Sequence, residues 1–417
     1  MKQRVYYGWW MVAAGSGMQF LQSALLLYAF GAYVAVLRDD FGWSKTALAG
    51  ASTLHQLEAA LLGPALGWVL DRFGPRNVIR AGVLVLGAGF ILLGLVRSLP
   101  AFYGAFVVIA LGTSLCGFFP LNVALIHWFE RKRSRALSTL GLGMALGGIA
   151  VPAVAWSLTS FGWRATAIAS GVLFIAAGIP LSRVIRNRPE EHGLRVDGEP
   201  APAAKASEGA AERPAGRDFT WREALRTPAF WLLSLGHGFA LLVVSAVNVH
   251  AITHMKEGLG YSVEAASLVI TLQTVCQIGG IALGWAIGER WDKRLICAAC
   301  MFGHMAGLLC LTYAGAAGAA APALLVAFAL LHGVAWGLRG PFMQAIRADY
   351  FGRSAIGMIL GISFMIIVLG QAGGPMIAGI LADATGNYRD GFTLIALLVG
   401  LGSAFFLLAK RPARPRG

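Results

Sequence analysis

Gly67-Trp68-Val69-Leu70-Asp71-Arg72-Phe73-Gly74-Pro75-Arg76 decides the fold. These ten residues hold an acid, two arginines and a turn-forming Gly-Pro step, and a long apolar run lies on either side. A tight charged hairpin between two membrane-spanning helices fits, because charges and turns belong at the water boundary. A fainter copy follows 217 residues later. Ala65-Leu66-Gly67-Trp68 recurs as Ala282-Leu283-Gly284-Trp285, ahead of Glu289, Arg290, Asp292, Lys293 and Arg294. One loop present twice predicts a chain of two like halves.

Composition agrees. Of 417 residues, 57% are hydrophobic and 13% charged, too apolar for a soluble domain. Apolar runs of about 20 residues recur, the length needed to cross a bilayer as helix. The net charge of +14 does not point to nucleic acid. Its basic residues fall in short clusters between apolar runs, with no phosphate-tracking patch. The five cysteines, Cys116, Cys276, Cys297, Cys300 and Cys310, all lie in apolar segments. Cys297-x-x-Cys300 lacks the second ligand pair of a zinc site, so packing is expected and no metal. The apolar run from Gly8 to Leu37 is too long for a signal peptide.

Twelve spans are expected, at 8–36, 46–70, 77–97, 101–126, 136–159, 162–183, 228–254, 262–288, 294–314, 321–346, 355–381 and 389–409. With both termini cytoplasmic, 27 of the 34 basic residues fall inside and six outside, and Arg339 lies within a span. That asymmetry sets an in/in topology. Residues 184–227 are rich in Pro, Ala and Glu and read as a solvated cytoplasmic linker between six-helix bundles at 1–183 and 228–417. Thr220-Trp221-Arg222-Glu223 near the linker's end has the pattern of a capped short helix.

The repeat extends beyond the loop. Gly42-Trp43-Ser44 matches Gly260-Tyr261-Ser262, and Trp128-Phe129 with its following bases matches Tyr350-Phe351-Gly352-Arg353. Gly147-Gly148…Pro152 matches Gly373-Gly374-Pro375. Parallel repeats of this kind place a binding site near the midplane between halves. The 67–76 stretch is similar to the loop signature between helices 2 and 3 of the major facilitator superfamily. The resemblance covers the whole chain and implies an all-α membrane fold of twelve transmembrane helices in two pseudo-symmetric halves. Within that superfamily the chain resembles the monocarboxylate porter and oxalate/formate antiporter branch. Tyr7-Gly8-Trp9-Trp10-Met11-Val12, Trp128-Phe129-Glu130-Arg131-Lys132-Arg133-Ser134-Arg135-Ala136 and Arg188-Pro189-Glu190-Glu191-His192-Gly193 carry that likeness. The branch's anion-binding cations are missing. Tyr28 stands where monocarboxylate porters have a span 1 lysine, Cys276 and Gly280 replace their span 8 Asp-Arg pair, and Gln371 is found in span 11 without a lysine.

Two ionisable groups stand out within spans, where charge is costly and function is the default explanation. Arg339, in Trp336-Gly337-Leu338-Arg339-Gly340-Pro341, suits bidentate capture of a carboxylate. An internal ion pair, with Glu58 for instance, or a snorkelling group is the alternative. Glu58 in span 2 has His55 one turn before it, a pair suited to proton coupling or to a structural polar cluster. Neutral polar groups expected to line the cavity include Gln19, Gln22, Tyr28, Asn122, Asn248, Gln273, Gln277 and Gln371, with His250 near the outer end of span 7. Trp336 and Phe118 supply apolar wall. His304 and His332 read as isolated packing histidines. Asp71, Arg72 and Arg76 read as gating residues: Asp71 can meet a neighbouring helix N-terminus, and the two arginines can pair with acids or carbonyls.

No nucleophile with base and orienting group, no phosphate loop and no metal set is present, so neither catalysis nor a cofactor is expected. The resemblance and the polar inventory together predict a secondary transporter in the inner (plasma) membrane. It would move a small organic anion, a monocarboxylate, with protons by alternating access. An exporter of amphiphilic compounds, an anion exchanger and a transporter-shaped sensor remain alternatives. Its partners would be the small anion, protons and the bilayer, with no nucleic acid; a monomer is compatible with the sequence.

Overall fold

A computed structural model describes residues 5–43, 45–198 and 217–415. The described chain is helical throughout its spans. The helices are α1 (Tyr7–Gln22), α2 (Phe30–Phe41), α3 (Lys45–Phe73), α4 (Pro75–Gly94), α5 (Leu99–Cys116), α6 (Phe118–Trp128), α7 (Arg133–Leu146) and α8 (Val151–Phe161). They continue with α9 (Trp163–Val184), α10 (Trp221–Leu225), α11 (Pro228–Leu259), α12 (Val263–Ile287), α13 (Lys293–Tyr313), α14 (Ala321–Phe351), α15 (Ile356–Thr385) and α16 (Arg389–Leu408). Among the described residues nine helices, counting α5 and α6 together, are long and apolar enough to cross a membrane. The bent α7–α8 pair makes ten. All twelve expected spans are helical, but three of them are broken.

Each break has a local cause. In span 1 a π-turn occupies Ser23–Leu27. The Tyr28 amide donates to the Ser23 carbonyl, five residues back, at 2.9 Å. The Ser23 hydroxyl has the Gln19 carbonyl (2.7 Å) and the Met144 carbonyl of α7 (2.8 Å) as acceptors, so it competes with the ordinary ladder. In span 4, Gly117 is extended (φ −83°, ψ −155°) and separates α5 from α6, with Pro120 in the latter's first turn. Span 5 bends by 41° between α7 and α8, through a 3₁₀ turn at Gly147–Ala150. Glycines let helices approach closely at Gly143, where a Cβ would strike the Ser16 backbone, and at Gly147, against the Ser23 hydroxyl. Gly141 meets nothing within 4 Å.

The chain forms two compact units. The first comprises Met1–Asp218, Arg353–Ile362 and Arg414–Gly417; the second comprises Phe219–Gly352 and Ser363–Ala413. Packing repeats from one to the other. In the first, α4 packs on α5 and α9; in the second, α13 packs on α14 and α16. Likewise α1 meets α9, and α11 meets α16. Spans 3, 4 and 6 therefore use the same neighbours as spans 9, 10 and 12, which is the internal repeat in three dimensions.

The linker is structured at both ends. Asp197, at φ 59°, gathers three consecutive amides after span 4: Glu130 (3.1 Å), Arg131 (2.7 Å) and Lys132 (3.2 Å). Asp218 does the same for the loop before α15. It accepts from the Arg353 amide (2.8 Å), the Ser354 amide (3.2 Å) and the Ser354 hydroxyl (2.9 Å). Burial works to raise the Asp218 pKa, but those hydrogen bonds and nearby Arg414 outweigh it and hold the carboxyl below its ordinary range. The pattern at Thr220 is a full capping box with Glu223. Linker residues 199–216 lie outside the described residues.

Candidate functional site

In the first unit a cavity of about 240 Å³ opens beside the break in span 1. Its polar lining is Gln19, Gln22, Ser23, His55 and Thr113; Phe30, Phe106, Phe118 and Met144 supply apolar wall. Gln22 and His55 of the expected site thus meet in one place, and Phe118 is wall as expected. The break helps set this arrangement. The Gln22 amide lies against Gly117, where a Cβ would come within 3.2 Å of its nitrogen. Tyr28, just past the π-turn, is 42% exposed and does not line this cavity. Asn122 is buried, with no protein partner for its Oδ1.

Glu58, one turn from His55, accepts the Ser114 hydroxyl on Oε2 at 3.0 Å. Its other oxygen, Oε1, is buried without a protein partner. A carboxyl group with one oxygen anchored and one spare is suited to exchanging a proton.

The second unit is different in kind. Arg339 is 1% exposed, sealed among α11, α13 and α14. Its Nε donates to His304 Nε2 (2.9 Å), while its two terminal nitrogens reach the Ala240 carbonyl (3.5 Å) and the Met343 sulfur (3.6 Å). All three partners are neutral. Its hydrogen bonds stay within the second unit, as that of Glu58 stays within the first. His304 Nδ1 lies 3.0 Å from His332 Nδ1, and both rings are fully buried. The reading of these two histidines as isolated packing groups is therefore corrected: they are bonded to each other, and His304 to Arg339.

A sequence signal for this pair exists. His304 lies fourteen residues before Gly318, the turn of the α13–α14 hairpin, and His332 fourteen after it. An antiparallel hairpin brings such residues to one depth. Arg339 lies further along α14, and helix side chains lean toward the N-terminus, so it reaches back to the pair.

The remaining candidates are distributed around these two centres. Gln273 and Gln277 lie on α12 where it meets α14 at contact distance. A Cβ on Gly333 would strike the Gln273 carbonyl, and one on Gly337 the Gln277 carbonyl. Trp336 is half-buried, its ring 6.3 Å from that of His332. Both nitrogens of His250 are engaged, by the Tyr388 hydroxyl (3.2 Å) and the Pro375 carbonyl (3.0 Å).

Of the loop residues, Asp71 meets a helix start. Oδ1 accepts from the Gly357 amide and Oδ2 from the Met358 amide, both at 2.8 Å, in the first turn of α15. Arg72 instead stacks on Trp68 and Phe73, 5.7 and 5.8 Å from the ring centres. The Arg76 amide donates to Asn187 at 3.0 Å. Among the described residues no cluster of three or more His, Cys, Asp or Glu has metal-binding geometry.

The sequence matches the Major Facilitator Superfamily profile over residues 13–321 and 233–417, two overlapping stretches that reach from the first helix to the last residue. The chain belongs to the Major Facilitator Superfamily. It is a multi-pass integral membrane protein and a secondary transporter rather than an enzyme. It is 24% identical to bovine monocarboxylate transporter 13 over 98% of this chain and 93% of that one. It is 26% identical to the oxalate:formate antiporter of Oxalobacter formigenes, over 93% and 88%. The E. coli fucose:proton symporter has the same fold, with a TM-score of 0.69 at 15% identity, covering 96% of this chain and 98% of that one.

Proposed function

We propose that this transporter carries a small organic anion, a monocarboxylate, in symport with protons across the inner (plasma) membrane, with both termini in the cytoplasm. One observation carries the reading: a guanidinium sealed in the second unit whose three partners are all neutral. A buried cation without a counter-charge is costly, and a carboxylate is the partner that guanidinium geometry favours. The relatives' names, monocarboxylate transporter and oxalate:formate antiporter, support an anionic cargo. An inside-negative potential opposes anion entry by about 2.3 kcal/mol per charge per 100 mV, so uptake needs a compensating proton or exchange.

Arg339 is the carboxylate-binding residue in this reading. Gln22, Tyr28 and Asn122 of the first unit and His250, Gln273, Gln277 and Trp336 of the second are the further substrate-binding residues of this reading. Glu58 and His55 exchange the coupling proton. Asp71, with Arg72 and Arg76, belongs to the cytoplasmic gate. Its hold on α15 is made in one conformation of the cycle and broken in the other.

The test is uptake of radiolabelled L-lactate, formate and oxalate into proteoliposomes, with and without an inward proton gradient. Gradient-driven accumulation is expected. Uptake only against internal substrate would make the protein an exchanger, the reading the oxalate:formate relative favours. No uptake of any carboxylate would overturn the anion reading and bring export of amphiphilic compounds forward.

A further inference from the structure

The hydrogen bonds around Arg339 leave no freedom in where the histidine protons sit. A guanidinium only donates, so His304 Nε2 accepts from Arg339 Nε. A neutral imidazole that accepts on Nε2 carries its proton on Nδ1. That proton is therefore donated to His332 Nδ1, 3.0 Å away. His332 must in turn carry its own proton on Nε2, and this atom is buried with no protein partner. Three side chains on two helices thus form one directed chain of donors, from Arg339 through His304 to His332.

We propose that the His304–His332 pair is a proton-operated latch on Arg339, and that taking up one proton releases the guanidinium to bind a carboxylate. This rests on the reading of Arg339 as the carboxylate site. The argument is one of hydrogen-bond capacity. In the latched state every ring nitrogen already accepts or carries a proton. One added proton gives the chain a donor too many, so one of its two internal hydrogen bonds must break. If the bond between the rings survives, it becomes a charge-assisted imidazolium–imidazole bond, the stronger kind. The charge then settles on His332, the ring farther from the Arg339 guanidinium. His304 shifts its proton from Nδ1 to Nε2, where an N–H now faces the N–H of Arg339. The Arg339–His304 bond is the one that breaks. The balance is simple: one proton enters, one moves across an imidazole, and no covalent heavy-atom bond changes.

Among the described residues no carboxylate acts on the pair. Arg339 on α14 faces the pair, and the thiols of Cys297 and Cys300 on α13 act on Arg339 in turn. From α11 comes His237, which lies in the field of Arg347 and Arg339, both on α14. Helix α12 presents the backbone at Gln273 and Gln277, and α16 meets α13 through Gly402 and Gly400 against the methionines Met301 and Met305. The incoming carboxylate would be the neutralising charge. Proton and monocarboxylate together add no net charge, so each strengthens binding of the other, and the coupling is reciprocal. This site is separate from Glu58 and His55.

The test uses the full-length protein in lipid bilayers, labelled with ¹⁵N-histidine and ¹⁵N-arginine, observed by solid-state NMR with no substrate present. At alkaline pH, His304 is expected as the Nδ1–H tautomer with Arg339 Nε bonded to it. On acidification His332 should gain its second proton, and the Arg339 Nε signal should shift with the same midpoint. His304→Gln keeps an acceptor for Arg339 but cannot carry the proton, so it should abolish both changes. An Nε2–H tautomer at His304, or an Arg339 signal indifferent to the titration, overturns the latch. These wild-type spectra need no variant to fold.

The transport arm uses whichever of L-lactate, formate and oxalate the uptake panel shows to be carried. For one linked proton the apparent KM of the wild type should fall by about tenfold per pH unit of acidification above the pair's titration. In His304→Gln the slope should shrink to less than about twofold per pH unit on the same basis. A pH-independent KM in an active wild type overturns the latch and leaves the transport reading standing. Absence of uptake for every carboxylate overturns the anion reading, and the spectra then decide the latch alone.

Discussion

The two units put their polar groups to opposite uses. In the first, Glu58 and His55 lie beside or at a cavity that the broken span 1 helps to open, and Glu58 keeps one oxygen unpartnered. In the second, Arg339, His304 and His332 are closed off, each held by the next. The two units share a packing scheme, spans 3, 4 and 6 repeated as 9, 10 and 12, yet one has a half-buried acid beside a cavity and the other a sealed base. Duplication conserves how helices meet, while the chemistry drifts at individual positions.

The two copies of the charged loop differ in the same way. Asp71 reaches across to cap α15, a contact 286 residues away in sequence. Asp292, in the second copy, caps only its own helix through the Arg294 amide at 2.8 Å. Asp71 makes a tertiary clamp; the second loop has Gly288 at the matching position, and its nearby Asp292 is a local helix cap.

The contrast can be broken by mutation. The largest effect is expected from Arg339→Gln. Removing one side of a buried charge interaction costs about 2–5 kcal/mol, so carboxylate uptake should fall by roughly thirtyfold or more with expression intact. Wild-type uptake in that variant would remove Arg339 from the site. Glu58→Gln comes next. Gradient-driven accumulation should be lost while exchange of internal for external substrate persists, and a variant that still accumulates against a gradient would relieve Glu58 of proton coupling.

Asp71→Asn should weaken the two charge-assisted bonds to α15, each worth about 1.5–3 kcal/mol. Binding should survive, while labelling of a cysteine placed at the cytoplasmic gate changes several-fold. Identical labelling would show that the contact does not hold the gate. Asp292→Asn should do least, because asparagine caps helices nearly as well as aspartate and the change stays within about 1 kcal/mol. A shift in gate labelling as large as that of Asp71→Asn would erase the distinction between the two loops.

The helical membrane architecture was legible because bilayer insertion imposes rules that sequence must obey: apolar length, positive loops and a repeated hairpin. The capping box at Thr220 was legible because its two hydrogen bonds are local. The breaks were not. The π-turn at Ser23–Leu27 depends partly on where the Met144 carbonyl of another helix arrives, which no window of span 1 contains. Gly117 gave a glycine signal among 54 glycines, too many for one to stand out. The candidate site was partly visible, since Arg339, Glu58 and His55 are rare residue types in apolar runs. His304 and His332 read as packing groups when each is taken on its own helix, whereas their distances from Gly318 pair them.

Asp197 and Asp218 work as moorings. Each ties one end of the chain between the halves to a hairpin corner, and the two corners, after Trp128-Phe129 and after Tyr350-Phe351, are counterparts in the repeat. A folded cargo, such as a fluorescent protein, inserted at the segment 199–216 should therefore leave transport unimpaired, and an insertion that abolishes it would show that this stretch has a role of its own. In evolutionary terms, this is where such a protein can acquire a new module at little cost to the machine it already has.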